Sequence, residues 1–256
     1  MRKRGGFVRK SFFVLLTFVF LAGFAKADWI SDAKSQAQAT AESQLKPLVG
    51  DVGAALGGGM YGPVKNGGLL GFDVGIRGSF AGISNGTKEN IPSLKDESYI
   101  PAAWLYVSKG LFFGIDVFGR YASVKMNSSD DSIDLVGAGL EYTVIEDGLL
   151  KPVPGVSVLA AANTLSAKGV SVRTISLAAT VSKKLPFVTP FATLAMDTTE
   201  MDVDLEAGIT AKPKASGSRI SAGIELRLIP FTYFNIAASK TAGSEMGFQL
   251  GIGIKN

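Results

Sequence analysis

The chain has no cysteine and no histidine. Without cysteine there is no disulfide framework, so stability has to come from backbone pairing and packing. The two absences together exclude Ser-His-Asp and Cys-His catalysis, histidine-based acid–base work, and zinc sites built on His or Cys. Long apolar runs are also missing. A spanning helix needs about 20 consecutive apolar residues, and nothing beyond the N-terminal leader reaches that length. A Gly-Lys-Ser/Thr sequence does not follow Gly57-Gly58-Gly59, so those glycines are no phosphate loop. Asn127-Ser128-Ser129-Asp130-Asp131 lacks the EF-hand pattern and reads as a solvated loop. No metal, no cofactor and no enzymatic activity are expected.

The leader itself is informative. Arg2, Lys3, Arg4, Arg9 and Lys10 precede an apolar run from Phe12 to Phe24, and Ala25-Lys26-Ala27 closes it. A basic head, a short oily core and an A-x-A end are the marks of a cleaved signal peptide, residues 1–27. The full chain has 26 basic and 22 acidic residues. The leader holds six of the basic ones and no acid, so the mature chain is slightly acidic. No nucleic-acid partner is expected.

What the mature chain does have is alternation. From Ser218 to Leu228, Ile220, Ala222, Ile224, Leu226 and Leu228 share one parity, and Arg219, Ser221, Gly223, Glu225 and Arg227 share the other. A strand sends alternate side chains to opposite faces. Phe72, Val74, Ile76 and Phe80 likewise oppose Asp73, Gly75, Arg77 and Ser79. The same pattern places strands near 72–80, 100–109, 111–121, 133–145, 155–165, 171–183, 188–197, 217–229, 232–241 and 246–255. Eleven residues at about 3.3 Å each, tilted by about 40°, span roughly 27 Å, enough for a bilayer. Short turns at 109–111, 146–154, 184–187 and 229–232 alternate with longer loops at 82–99, 124–132, 166–170, 198–216 and 242–245. Phe113, Tyr142, Phe187, Phe231, Tyr233 and Phe234 cluster at the turn end, and Phe80, Tyr99, Tyr121 and Phe248 at the loop end, as two aromatic girdles. A soluble β-sandwich also alternates, but its solvated face would carry more Lys and Glu than this Gly-, Ser- and Thr-rich one. The fold expected is therefore all-β: an antiparallel transmembrane β-barrel over residues 61–256, of about ten strands. Twelve is the alternative, reached by counting 201–211 and 49–60.

Residues 28–60 read differently. Ser31 can cap a helix whose Ala-, Gln- and Glu-rich body runs to Gln44. Leu45, Leu48, Val49, Val52 and Leu56 then follow helical spacing, with Pro47 dividing the segment or opening a second helix and Gly57–Gly59 ending it. An apolar stripe needs a surface to cover it, so this segment is expected as a plug or cap of the barrel. The rival places it on the membrane surface or on a periplasmic partner.

The ending Gly247-Phe248-Gln249-Leu250-Gly251-Ile252-Gly253-Ile254-Lys255-Asn256 resembles the C-terminal assembly signal of bacterial outer-membrane β-barrel proteins. Gly247, Phe248, Leu250, Ile252 and Ile254 carry the match, and Lys-Asn stands where an aromatic residue is usual. Leu56-Gly57-Gly58-Gly59-Met60-Tyr61 and Gly71-Phe72-Asp73-Val74 are similar to an uncharacterised family of exported bacterial barrels. The resemblance implies an outer-membrane location, lipid and lipopolysaccharide as surroundings, and the barrel-assembly machinery as a partner.

Candidate functional residues are the inward charges Asp73, Arg77, Asp116, Arg120, Glu141, Arg219, Glu225 and Arg227. Asp73–Arg77 and Asp116–Arg120 share a spacing and a Gly-x-Asp-Val context, and both are expected to pair. Such charges either fill the lumen by pairing or line a path for a small polar solute. Two functions remain open: a narrow channel or transporter plugged by the N-terminal helix, and a structural or surface-interaction barrel with a filled lumen.

Overall fold

The computed structural model describes residues 30, 32, 42–65, 68–125, 132–204 and 210–256. The signal peptide, the cap at Ser31, the loop Asn127–Asp131 and the tip of the 201–211 hairpin lie wholly or partly outside them. Among the described residues no helix is long and apolar enough to cross a membrane.

Ten strands form one closed antiparallel barrel. They are β1 (Phe72–Gly82), β2 (Tyr99–Gly110), β3 (Ile115–Lys125), β4 (Ser132–Ile145), β5 (Gly155–Ala167), β6 (Val170–Ser182), β7 (Val188–Asp204), β8 (Lys214–Ile229), β9 (Thr232–Thr241) and β10 (Met246–Lys255). Each strand pairs with the next in sequence, and β1 closes on β10 from Asp73↔Lys255 to Phe80↔Phe248. Closure leaves no free sheet edge, the condition for a sheet to stand in lipid. The twelve-strand alternative is thereby corrected. Residues 49–57 belong to a helix and 58–60 to the turn that follows it, and residues around 201–211 lengthen a hairpin instead of adding wall. β7 runs on to Asp204, where a two-residue bridge, Thr210–Ala211, pairs back onto Val203 and Asp204.

Alternation decides which face is which. Burial alternates along the strands, most regularly along β5, β6 and β7. Outside stand Leu105, Tyr121, Val136, Leu140, Ile175, Leu177, Leu194, Met196 and Ile220, all about half exposed or more. Inside stand Ser157, Asn163, Thr174, Ser176, Thr180, Thr193, Ser221 and Gln249, all buried. An oily exterior around a polar interior inverts the arrangement of a water-soluble barrel. Tyr233 departs from the girdle expected of it. It is inward and buried, because its parity on β9 is that of Asn235 and Ala237. Phe113 and Phe231 do stand at the turn end, in turns where each takes a positive φ.

The barrel encloses the helix α1 (Glu42–Gly57). It touches β1, β2, β5, β6, β7 and β8. Leu45, Leu48, Val49, Val52 and Leu56 are all fully buried. Pro47 neither divides the segment nor opens it, since α1 starts at Glu42 and Pro47 lies inside. A proline here forgoes a bond to the Ser43 carbonyl. Ser43 is exposed at the helix end, where water can satisfy that group.

Candidate functional site: the lumen and its internal helix

α1 approaches the wall of β7 and β8 through a glycine face. A Cβ built on Gly53 would lie 2.0 Å from Thr199 Oγ1, and one on Gly57 2.6 Å from Asp197 Oδ1. One on Gly50 would sit 3.8 Å from Ala215 Cβ. At the loop end the helix is stapled by Asp51, a buried carboxylate. It accepts from Ser84 N (2.9 Å), Ser84 Oγ (2.8 Å), Thr87 Oγ1 (2.6 Å) and Ser244 Oγ (2.5 Å). Ser84 and Thr87 begin the loop helix α2 (Asn85–Asn90), with Ser84 as its N-cap, and Ser244 lies in the β9–β10 turn.

At mid-barrel the helix ends on three wall arginines. Arg120 donates to the carbonyls of Leu56 and Gly58 and, at 2.7 Å, to Asn163 Oδ1. Its guanidinium lies over the Trp104 ring at 4.3 Å. Arg77 donates to Met60 O at 3.1 Å and lies over Tyr106 at 3.7 Å. Arg219 donates to the Tyr61 hydroxyl at 3.1 Å. The last carbonyls of a helix lack intrahelical partners and carry its negative pole. Fixed guanidinium groups satisfy both needs, and Gly59, at φ +63°, turns the chain away from the axis.

The charge network follows the expected faces but not all the expected pairs. Arg77 and Asp73 meet at 2.6 Å, both buried. Asp116 and Arg120 do not meet. The spacing is the one that Arg77 bridges, but Arg120 turns toward the helix end while Asp116 lines a cavity at the turn end. Asp116 stands beside Glu141 in the β3–β4 register. Glu141 accepts from Ser157 Oγ at 2.8 Å and pairs with Lys65 at 3.5 Å. Lys65 precedes β1 and also donates to the Tyr106 hydroxyl at 2.5 Å. Burial alone would lower the pKa of its ammonium group, but Tyr106 and Glu141 outweigh that and raise it. Glu225 takes Arg227 at 2.9 Å and Lys255 at 2.6 Å. Arg219 pairs with Asp197 at 2.9 Å.

Asp51, Asp197, Asn163, Lys65 and Lys255 were not singled out by the sequence reading. Inward parity was a usable signal for Asp197, which shares a face with Thr193 and Thr199, and for Lys255, which shares one with Gly253 and Gly251. Nothing local marks Asp51 or Lys65, whose partners lie on other elements. Gly247, Phe248, Leu250, Ile252 and Ile254 all fall on β10, the four apolar ones outward and Gly247 inward.

Two cavities flank the arginine level. One, of about 390 Å³, opens at the loop end between α1 and β7–β9. It is lined by Lys46, Asp51, Thr199, Ser216 and Thr241 and reaches down to Asp197. The other, of about 150 Å³, lies at the turn end among Lys65, Asp73, Asp116, Lys184, Arg227 and Lys255. Among the described residues no cluster of acidic side chains is arranged to hold a metal ion.

Among solved structures, the chain is similar to the N-terminal β-barrel domain of Pseudomonas aeruginosa OprF. The identity is 13%, over 72% of this chain and 97% of that one, with a TM-score of 0.36. It is similar to the outer membrane protease OmpT of Escherichia coli at 6% identity, over 72% and 94%, with a TM-score of 0.36. An anion-selective porin of Comamonas acidovorans matches at 14% identity, over 81% and 65%, with a TM-score of 0.28. No curated protein matches the chain. The model of a family of unknown function, DUF6588, matches residues 84–256, from the loop after β1 to the end of β10, and the chain belongs to that family.

Proposed function

We propose that this protein is an outer-membrane barrel that serves as a narrow channel for a small polar solute and is held closed at rest by its own N-terminal helix. The exterior belt meets lipid, the interior carries no catalysis, and passage requires α1 to move. The observation that supports this most is the pair of cavities, each with hydroxyl or charged groups in its lining, on opposite sides of one closure. The closure is the segment Leu56–Tyr61, seated on Arg77, Arg120 and Arg219. A barrel filled for stability alone gains nothing from leaving hydroxyl- and charge-lined space at both ends, since unfilled volume forfeits packing. The seat is made of hydrogen bonds to backbone carbonyls and to the Tyr61 hydroxyl, which water can replace when the helix leaves.

A structural or surface-interaction barrel is the second reading, favoured by the fourfold grip on Asp51 and by the fully buried Leu and Val stripe of α1. The two readings part on one experiment. The chain lacks cysteine, and the Cβ positions of residues 50 and 215 are 3.8 Å apart, the usual spacing across a disulfide. In a planar bilayer, reduced Gly50→Cys/Ala215→Cys protein is expected to show intermittent openings, and oxidation is expected to abolish them. A barrel closed in both states, and equally closed after deletion of residues 28–57, refutes the channel.

A further inference from the structure

We propose that the N-terminal arm crosses the membrane inside the barrel and presents the start of the mature chain at the cell exterior. This rests on the outer-membrane reading above, in which long loops face outward and short turns face the periplasm.

The path can be followed backward from β1. Phe72 pairs with Lys109, beside the short β2–β3 turn. Val64 N donates to Ser182 Oγ at 3.1 Å, and Thr143 Oγ1 donates to Lys65 O at 2.7 Å. Ser182 and Thr143 are the turn-end residues of β6 and β4, so residues 64–65 stand at the periplasmic mouth. Leu56, Gly58 and Met60 sit at the arginine level. Asp51 is held by Ser84, Thr87 and Ser244, all at the long-loop end. Farther back, Asn90 Nδ2 donates to Gln44 O at 3.0 Å, and Ser93 N donates to Asp32 Oδ2 at 2.9 Å. Asn90 and Ser93 belong to the β1–β2 loop, the longest described connection in the wall. From residue 65 back to residue 42 the arm therefore climbs from the turn end to the loop end without reversing.

The length agrees. α1 has 16 residues, and at about 1.5 Å each it rises roughly 24 Å, more than enough to reach from the arginine level to the loop mouth of an apolar band roughly 25 Å high. The chain thus crosses the membrane once within the lumen, as the non-helical residues 58–65 up to the arginine level and as a helix above it, before it crosses ten times as wall. A free end cannot be withdrawn past the arginine seat without breaking it. The same path removes α1 from any periplasmic partner and sets Asp32 against the β1–β2 loop at the outer mouth.

Three single-cysteine variants test this in intact cells with a membrane-impermeant maleimide. They are Lys95→Cys in the β1–β2 loop, Lys184→Cys in the β6–β7 turn and Ser43→Cys in the first turn of α1, all exposed positions. Ser43→Cys is expected to label like Lys95→Cys in intact cells, with Lys184→Cys reacting only after permeabilisation. Lys184→Cys reacting while Lys95→Cys stays silent overturns the orientation and the outer-membrane reading with it. Lys95→Cys reacting while Ser43→Cys waits for permeabilisation overturns the threaded arm alone. Should the loops shield Ser43→Cys under both conditions, the double variant Pro47→Cys/Gly86→Cys decides. The Cβ of residue 86 would lie 3.2 Å from Pro47 Cβ, near disulfide spacing. Both thiols are expected to disappear on oxidation, and two thiols still free after unfolding overturn the proposal.

Discussion

Arg77, Arg120 and Arg219 are all buried, yet only two of them face a carboxylate. Arg219 lies within 2.9 Å of Asp197, and Arg77 within 2.6 Å of Asp73. Arg120 is neutralised in part by helix carbonyls and Asn163 instead. Removing one member of a buried pair leaves the other uncompensated, at a cost of about 3–5 kcal/mol. Arg219→Ala should therefore lower the temperature at which the folded band converts to the unfolded one on a gel. The double variant Asp197→Ala/Arg219→Ala should recover part of the loss. A double variant no better than Arg219→Ala would mean that the Tyr61 contact, not the ion pair, carries the effect. Asp116→Ala should cost less than about 1 kcal/mol, in the range of changes that break no buried network. It has no hydrogen-bonded partner to strand, and it neighbours the like-charged Glu141. The shared Gly-x-Asp-Val context made Asp73 and Asp116 look equivalent. What separates them is where each following arginine turns, and that depends on a helix end no strand pattern reveals.

At the scale of the element, α1 sits close to the wall because three of its residues have no side chain. Gly50, Gly53 and Gly57 follow one another at spacings of three and four, which places them on one helix face. Thr199, against Gly53, shares a hydrogen bond of 3.0 Å with Thr174, so its hydroxyl is not free to swing aside. Gly53→Ala should push α1 off β7 and destabilise the protein by about 1–3 kcal/mol, the usual range for overpacking. It should also raise the frequency of channel openings, because the closed state is what it strains. Unchanged melting and unchanged openings would show that the helix has room to retreat. The apolar stripe of this helix was legible in the sequence, and so was its end at Gly57–Gly59. Its glycine face was not, since a glycine in a helix reads as a weakness until the surface opposite is known. Pro47 misled for a related reason. A proline signals a helix start locally, but burial of Leu45 and Leu48 on either side of it holds the helix through that position.

For the whole molecule, the ten-strand wall was legible because parity and turn length report the same architecture independently. Residues 217–229 and 232–241, chosen on alternation, fall within β8 and β9 as they stand in the barrel. Which charges meet across the lumen was not legible, because closure and the helix jointly decide it. That division yields a last expectation. Deleting residues 28–57 leaves every wall hydrogen bond in place, so the barrel should still form and run as a folded band. The emptied lumen would keep Asp73–Arg77, Asp197–Arg219 and the Glu225 cluster as internal pairs. Arg120, the one of the three arginines without a carboxylate, would lose the Leu56 carbonyl, at mid-barrel where the field of one fixed charge is least screened. The open pore should then prefer anions, measured as a reversal potential in a salt gradient, and Arg120→Ala in the deleted background should reduce that preference. A cation preference would instead assign control to Asp116 and Glu141 at the turn end, where two carboxylates stand side by side.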